Sequence, residues 1–417
     1  MNKRLLTYTS YLYLMSYAFT VTSMGPCNAP IAASFGAGAR AMGLLIATHF
    51  TGFIAATVFS GWLIDRAGLK PVMVGGVALL GASLIAFGQA PSLTLLFVFM
   101  FIMGMGGGAV EAVVNALIAT LYSETRVFNL NLLHIFFGIG AFTWPAVAGY
   151  LLTDGMSWRM IYFTIGSFSL AMAGVMAVQS FPAPREEPPG GLRETLAMLR
   201  HPTVWLLGGV VALYVGGEMG INAWIVRYFD EELLHGRPFA HTLRLALGGG
   251  SVSFTVTTSL FLTLYWFSMT VGRVFTTIAG RFVPDYLLLR AITLMSAVFG
   301  IAMFLVSDVR LAALFLTLTG LGFSGIFATT VAIGGNRYPE RIGLISGLVI
   351  AFSGVGNVAL NAAIGEIAQR THSIRNGMLF AAVLLAGMAA CAFAIGKGDA
   401  NGKAVEGKRK AKAETKK

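Results

Sequence analysis

About every thirty residues along this chain an apolar stretch of roughly 18–25 residues returns, the length at which an α-helix crosses about 30 Å of hydrocarbon. Few folds are open to such a chain. In lipid each backbone N–H and C=O has to be satisfied within its own segment, which leaves helices for stretches of this length. Composition points the same way: 56% of the 417 residues are hydrophobic and 11% are charged, and the mean hydropathy is +0.75. A soluble globular chain carries about a quarter charged residues. Folding this one in water would need many helices apolar on every side packed into one core. Cys27 and Cys391 lie in the first and last apolar stretches, where they form no disulfide framework or metal motif and read as inert buried thiols. Apolar character starts near Leu5 and flows into a full-length span with no small-residue cleavage site, so the first helix is expected to stay as an anchor.

The expected fold is an all-α membrane protein of twelve transmembrane helices, at about 5–34, 41–64, 71–89, 92–121, 131–153, 158–180, 203–229, 253–279, 286–306, 310–335, 342–367 and 374–396. Turn signals such as Gly68-Leu69-Lys70-Pro71, Ala90-Pro91-Ser92 and Val283-Pro284-Asp285 punctuate them. The proline-rich stretch 181–202 is the polar linker at the middle of the chain, so residues 1–180 form one six-helix half and 203–396 the other. Residues 397–417 form a basic tail. Of the 29 lysines and arginines, 20 fall on the side that carries both termini and 8 on the opposite side, with Arg273 inside the eighth span. Positive charge collects on the cytoplasmic side, so both termini and the linker are expected inside the cell, and the loop 230–252 outside. The net charge of +11 therefore reads as topology and excludes nucleic acid as its explanation. The tail either meets anionic lipid or is a solvated end. An internal echo supports paired halves: Arg66 and Arg281 close the second and eighth spans in corresponding loops 215 residues apart.

Ionisable groups at mid-membrane are costly, about 2–3 kcal/mol or more, and mark function by default. The ionisable groups within the spans are Glu111 in span four, Glu218 in span seven and His49 in span two, with His134 at the start of span five near the cytoplasmic mouth and Arg273 in the cytoplasmic half of span eight. Asn115, Asn222, Asn357 and Asn361 accompany them, while spans three, six, nine and twelve carry no charged residue, His or Asn in their middles. The pairs Glu111/Asn115, Glu218/Asn222 and Asn357/Asn361 are each i, i+4, so each shares one helix face. Three such faces can converge on a hydrated cavity, where carboxylate and carboxamide groups donate to and accept from hydroxyls. The plainer reading is interhelical hydrogen bonding. Trp144, before Pro145 where a kink is expected, either stacks on a sugar ring or anchors at the interface. His49 reads as a hydrogen-bonded wall residue, His134 as a packing or gating residue, and Arg273 as a structural or gating residue. The HExxH, GxSxG and P-loop patterns are absent, so no enzyme, cofactor or metal site is expected.

The run Gly61-x-x-x-Asp65-Arg66-x-Gly68-x-Lys70 resembles the signature loop of the major facilitator superfamily between helices two and three. Asp65, Arg66 and Lys70 can form a charge latch there that breaks and re-forms as two halves rock. Further stretches resemble the fucose–glucose–galactose permease branch. They are Gly104-Met105-Gly106-Gly107-Gly108-Ala109-Val110-Glu111-Ala112-Val113-Val114-Asn115, Asn131-Leu132-Leu133-His134 with Phe137-Gly138-Ile139-Gly140-Ala141, Tyr214-Val215-Gly216-Gly217-Glu218, and Thr270-Val271-Gly272-Arg273. The resemblance implies the major facilitator fold, a monomer, and symport of a sugar with a proton or sodium ion across the cytoplasmic (inner) membrane. Spans three, six, nine and twelve are the lipid-facing helices of that fold. Some relatives carry an acidic residue in the first helix, where this chain has Thr20, Thr22, Ser23 and Asn28, so two-carboxylate coupling across helices one and four is not expected. The alternative is a proton-coupled exporter of drugs or metabolites. Exporters show a glycine–proline rhythm in helix five, kept only in part by Gly140 to Gly149 with Trp144 at a usual glycine position.

Overall fold

In a computed structural model, residues 2–122, 126–182, 197–235, 241–247, 250–256, 258–338 and 342–396 are described. The expected linker falls largely at 183–196 and the basic tail at 397–417, both outside the described residues, as are the side chains of Asp65 and Asn131. The first six helices are α1 (Lys3–Phe35), α2 (Ala39–Ala67), α3 (Leu69–Gly88), α4 (Leu93–Leu121), α5 (Arg126–Thr153) and α6 (Trp158–Ala177). The next are α7 (Pro202–Tyr228), closed by a π-turn at Phe229–Leu233, then α8 (Ser259–Ala279) and α9 (Asp285–Leu305). α10 is made of Val309–Phe323 and Ile326–Arg337, broken at Ser324-Gly325, and α11 (Ile342–Thr371) and α12 (Ile374–Ala394) follow. Caps set several starts: Asn2 Oδ1 accepts from Leu5 N at 3.1 Å, and Asp308 Oδ1 accepts from Arg310 N and Leu311 N at 2.9 Å.

The eighth span begins at Ser259, not 253, because residues 250–256 are a β-strand. Its alternating Val252, Phe254 and Val256 with Ser and Thr between them suit a strand better than a helix. It pairs antiparallel with His241–Leu247, so the second part of the loop expected over 230–252 lies in a strand pair. α5 starts at Arg126, five residues earlier than expected, and runs unbroken through Pro145. Ten of the described spans are long and apolar enough to cross a membrane. α1 and α8 are outside that group: α1 carries eight Ser and Thr residues, and α8 carries Arg273 with its own Ser and Thr.

Packing repeats with a shift of six helices. α1 packs on α5, α2 on α4 and α3 on α4 and α6; in the same way α7 packs on α11, α8 on α10 and α9 on α10 and α12. Across the halves the main contacts are α1–α7, α2–α11 and α5–α8, which the same pseudo-twofold exchange maps onto themselves or each other. The pairs α3–α6 and α9–α12 lie outside these crossings, so the helices with apolar middles are the peripheral ones. Close backbone approach explains the α2–α4 crossing: Gly52 packs on the Phe101 carbonyl and Gly104 on the His49 carbonyl, with no room for a Cβ at either. With an even number of spans, both termini lie on one face of the bundle, the termini face. The β-hairpin lies on the other, the hairpin face. At the hairpin face Arg40 of α2 pairs with Glu366 of α11 at 2.9 Å, and Ser373 Oγ donates to Glu232 at 2.7 Å.

Candidate functional site in the mid-membrane

Glu111 and Asn115 sit one turn apart on α4, both half-buried. Asn115 Nδ2 donates to the Glu111 backbone carbonyl at 2.7 Å, which folds the carboxamide back beside the acid. Tyr17 of α1 is buried, and its phenol lies within electrostatic reach of Glu111. A β-carbon at Gly107, one turn before the acid, would come within 2.6 Å of Tyr17 Oη. Glycine at 107 therefore makes room for the phenol at this acid. Among the described residues, the groups that act on Glu111 and Asn115 here are neutral ones.

Glu218 is buried on α7, one turn after Tyr214, whose phenol is its hydrogen-bonding neighbour. From α8, Arg273 and Tyr265 share its electrostatic environment. Arg273 Nη1 also donates to the His134 carbonyl on α5 at 3.4 Å, and Nη2 leans on Met269 Sδ at 3.8 Å. The guanidinium thus connects the acid of the second half to a helix of the first. A carboxylate in a low-dielectric interior needs a counter-charge or a proton. Glu218 has a cation in range; Glu111 has a phenol and an amide.

A row of rings joins the two acids across the halves. Tyr17 to Phe137 is 6.3 Å between centroids, Phe137 to Trp266 is 6.0 Å, and Trp266 to Tyr265 is 5.7 Å. Phe323 continues the row, 6.4 Å from Tyr265 and 5.3 Å from Tyr214. Such spacings allow tilted and edge-to-face contacts. Sequence reasoning passed over Tyr17, Tyr265 and Trp266, and named Tyr214 only within the run that ends at Glu218, because it followed ionisable groups and asparagines. Their signal was a hydroxyl- or N–H-bearing ring inside an apolar span.

The three i, i+4 pairs go three separate ways. Asn222 does not face the same environment as Glu218: its Nδ2 donates to the Val21 carbonyl of α1 at 2.8 Å, and its Oδ1 accepts from Trp266 Nε1 at 2.9 Å. Asn28 of α1 reciprocates by donating to the Ala223 carbonyl of α7 at 2.9 Å. Asn357 and Asn361, both fully buried on α11, bond to each other at 2.7 Å beside the α2 crossing, where the Asn361 carbonyl meets Gly43. Trp144 Nε1 donates to Ser23 Oγ at 2.6 Å, and its ring stacks on Phe19 at 4.6 Å, so the indole is held against α1. His49 is buried on α2 with its ring edge against Phe50. At the termini face Arg66 stacks on Trp62 at 4.4 Å and Lys70 is the second residue of α3; the carboxyl of Asp65 lies outside the described residues.

Residues 10–357 match the sequence profile of the Major Facilitator Superfamily. The chain is 24% identical over 343 residues to a Protein TsgA homolog of Edwardsiella ictaluri (strain 93-146), covering 81% of each. It is 23% identical over 381 residues to Protein TsgA of Escherichia coli O9:H4 (strain HS), covering 89% of each. Among solved structures it is similar to a point mutant of the nucleoside transporter NupG, with a TM-score of 0.74, 12% identity and coverage of 95% of this chain and 100% of that one. A bacterial homolog of the human lysosomal transporter Spinster, inward-facing and unoccupied, gives 0.73 at 15% identity, covering 94% and 97%. A point mutant of the E. coli fucose:proton symporter FucP gives 0.63 at 18% identity, covering 94% and 97%. These likenesses share the fold of paired helix contacts described above. The chain is a multi-pass membrane protein that belongs to the Major Facilitator Superfamily of transporters.

Proposed function

We propose that this protein moves a small polar solute, a sugar, together with a proton by alternating access in the cytoplasmic membrane, with the termini face inside the cell. The observation that carries the reading is the placement of Glu111 at mid-membrane against neutral partners, Tyr17 and Asn115. Such an acid loses its charge by taking a proton, and so can carry one from side to side. Glu218, with Arg273 in range, is the better candidate for holding the solute. The aromatic row between the acids offers faces on which the apolar side of a sugar ring stacks. One proton moving down 100 mV releases about 2.3 kcal/mol, equivalent to roughly 50-fold accumulation of a neutral solute.

The test is uptake into proteoliposomes under an inward proton gradient, with a panel of neutral sugars run beside lipophilic cations. Gradient-driven accumulation of a sugar supports the reading. Extrusion of cations instead would replace it with the exporter. Glu111→Gln, which mimics the permanently protonated acid, is expected to abolish uphill uptake and retain solute exchange. Normal pH-driven accumulation by that variant would eliminate Glu111 as the coupling site and leave Glu218 or a bound sodium ion.

A further inference from the structure

The peripheral pair α3 and α6 reaches the hairpin face at an open concavity of about 520 Å³, lined among others by Gly88, Gln89, Arg159, Met160 and Phe163. That volume is in the range of small-ligand sites, about 300–1,000 Å³. Both helices are 20 residues long, about 30 Å at the helical rise, which is the thickness of the hydrocarbon. Gly88 ends α3 and Trp158 begins α6, so the concavity lies at the level of the lipid headgroups. One cation lines it: Arg159, the second residue of α6.

Arg159 is held from several sides. Its Nη1 donates to the Gly88 and Ala90 carbonyls, each at 2.9 Å, and so satisfies the C-terminal end of α3. The guanidinium lies over the Trp158 ring at 4.6 Å and 5.5 Å from the Phe35 centroid. Trp158 is itself fixed by its Nε1–H on Ser34 Oγ at 2.9 Å. Gly88 leaves no room for a Cβ against the Arg159 carbonyl, which keeps the two helix ends together. Carbonyls satisfy N–H groups and leave the positive charge whole. Among the described residues no carboxylate pairs with Arg159, and only Nη1 of its three nitrogens is taken by a hydrogen bond. Nε and Nη2 are not buried, unlike the unpaired Nη1 of Arg227 and Nε of Arg375. One nitrogen of Arg159 thus holds the protein, and two are open to the surface.

Those two are the ones that matter for an anion. The N–H groups of Nε and Nη2 point in parallel along one edge of a guanidinium and bind two oxygens of one phosphate or carboxylate. Gln89 adds a neutral carboxamide to the lining, which holds no acid that would receive an ammonium. From the concavity Met160 and Phe163, 49% and 40% exposed and one turn apart, lead into the membrane along the lipid-facing side of α6. A cation at headgroup level beside an apolar track matches an amphiphile with a negative head.

We propose that this concavity binds an anionic glycerophospholipid of the hairpin-side leaflet, with its phosphodiester on Arg159 and an acyl chain along Met160 and Phe163. A phosphatidylglycerol head brings a net negative charge and hydroxyls for Gln89, whereas the ammonium of phosphatidylethanolamine finds no counter-charge in the lining. The bound lipid clamps the end of α3 to the start of α6. None of this depends on the solute or on proton coupling.

The experiment is native mass spectrometry of the purified full chain with thermal unfolding in parallel. The probes are dioleoyl phosphatidylglycerol, phosphatidylethanolamine and phosphatidylcholine, with sn-glycerol 3-phosphate as the soluble head. Arg159→Gln removes the charge, Arg159→Lys keeps it, and Met160→Glu leaves the α3 cap in place while putting an acid into the concavity. The wild type should bind its first phosphatidylglycerol more tightly than the other two lipids and be stabilised by it. Arg159→Gln and Met160→Glu should weaken that first binding about tenfold, and Arg159→Lys should weaken it less. Equal binding of the three lipids by the wild type overturns the proposal, as does phosphatidylglycerol binding that is unchanged in both Arg159→Gln and Met160→Glu. Stabilisation by glycerol phosphate equal to that by phosphatidylglycerol would mark a soluble-anion site and overturn the lipid assignment. If Arg159→Gln fails to fold, Met160→Glu decides alone: a tenfold loss with the helix cap intact supports the site, and no loss overturns it.

Discussion

Two asparagines hold α1 and α7 together, and removing them should shift which face of the bundle is open. Asn222 Nδ2 reaches the Val21 carbonyl at 2.8 Å, and Asn28 Nδ2 reaches the Ala223 carbonyl at 2.9 Å. Both bonds cross between the first and last six helices on the hairpin side of the acids, so parting the halves there would break them. Hydrogen bonds between membrane helices average about 0.6 kcal/mol and reach about 1.7, so the two together contribute roughly 1–3 kcal/mol to the closed state. Asn28→Ala with Asn222→Ala should therefore move the equilibrium about 5- to 150-fold toward the state open at the hairpin face. Spin labels at Gln89 and Ser307, both exposed on hairpin-face loops of opposite halves, report the separation by double electron–electron resonance. The expected result is growth of a longer distance in the double variant and a smaller share of it in Asn28→Ala alone. The single variant matters because Asn222 also accepts from Trp266 within its own half, and Asn28→Ala leaves that bond in place. An unchanged distance distribution in the folded double variant would refute the assignment of these bonds as a closure.

Three further substitutions probe the mid-membrane groups and the termini face. Gly107→Ala places a Cβ within 2.6 Å of Tyr17 Oη, so it should displace the phenol and cut turnover about tenfold or more with expression retained, read as initial uptake rate per folded transporter. Glu218→Gln should raise the solute KM more than it reduces proton-driven accumulation at saturating solute; the reverse pattern would exchange the roles of the two acids. Asp65→Asn should slow turnover and leave solute affinity within a few-fold, because the last turn of α2 is at the termini face away from both acids; loss of equilibrium binding in a folded variant would contradict it.

Where lipid is the solvent, a sequence exposes its helices plainly, because every span has to be apolar over a fixed length. The ends of α2, α4, α9 and α12 accordingly fall within three residues of the expected ones. The strand at 250–256 reads as the start of a span because it is apolar enough to begin one; its alternation of Val252, Phe254 and Val256 with Ser and Thr is the signal for a strand. The break in α10 at Ser324-Gly325 was hidden, since small residues are common inside membrane helices. For the site, counting costly residues found Glu111, Glu218 and Arg273. It could not say which partners they meet, because an i, i+4 pair fixes a shared helix face and leaves the neighbour across it open. Asn222 illustrates this: one turn from Glu218, it is turned to α1 and Trp266 instead. The tyrosines beside the acids were invisible for a different reason. An aromatic ring is apolar in any hydropathy count, and only three-dimensional contact turns its hydroxyl into a partner.

α1 and α8 stand apart from the ten spans apolar enough to cross a membrane by themselves, and that bears on how the chain is made. A segment with an arginine near its middle pays a penalty of about 2.5–3.5 kcal/mol on leaving the translocon for lipid. α8 carries Arg273, and its partner acid Glu218 lies on α7, the helix that emerges just before it. The two are joined by the β-hairpin, so α7 can wait beside the exit and take α8 in as a helical pair. In α1, seven of the eight serines and threonines donate to carbonyls of the same helix, which lowers the cost of placing their hydroxyls in lipid without help from a neighbouring helix.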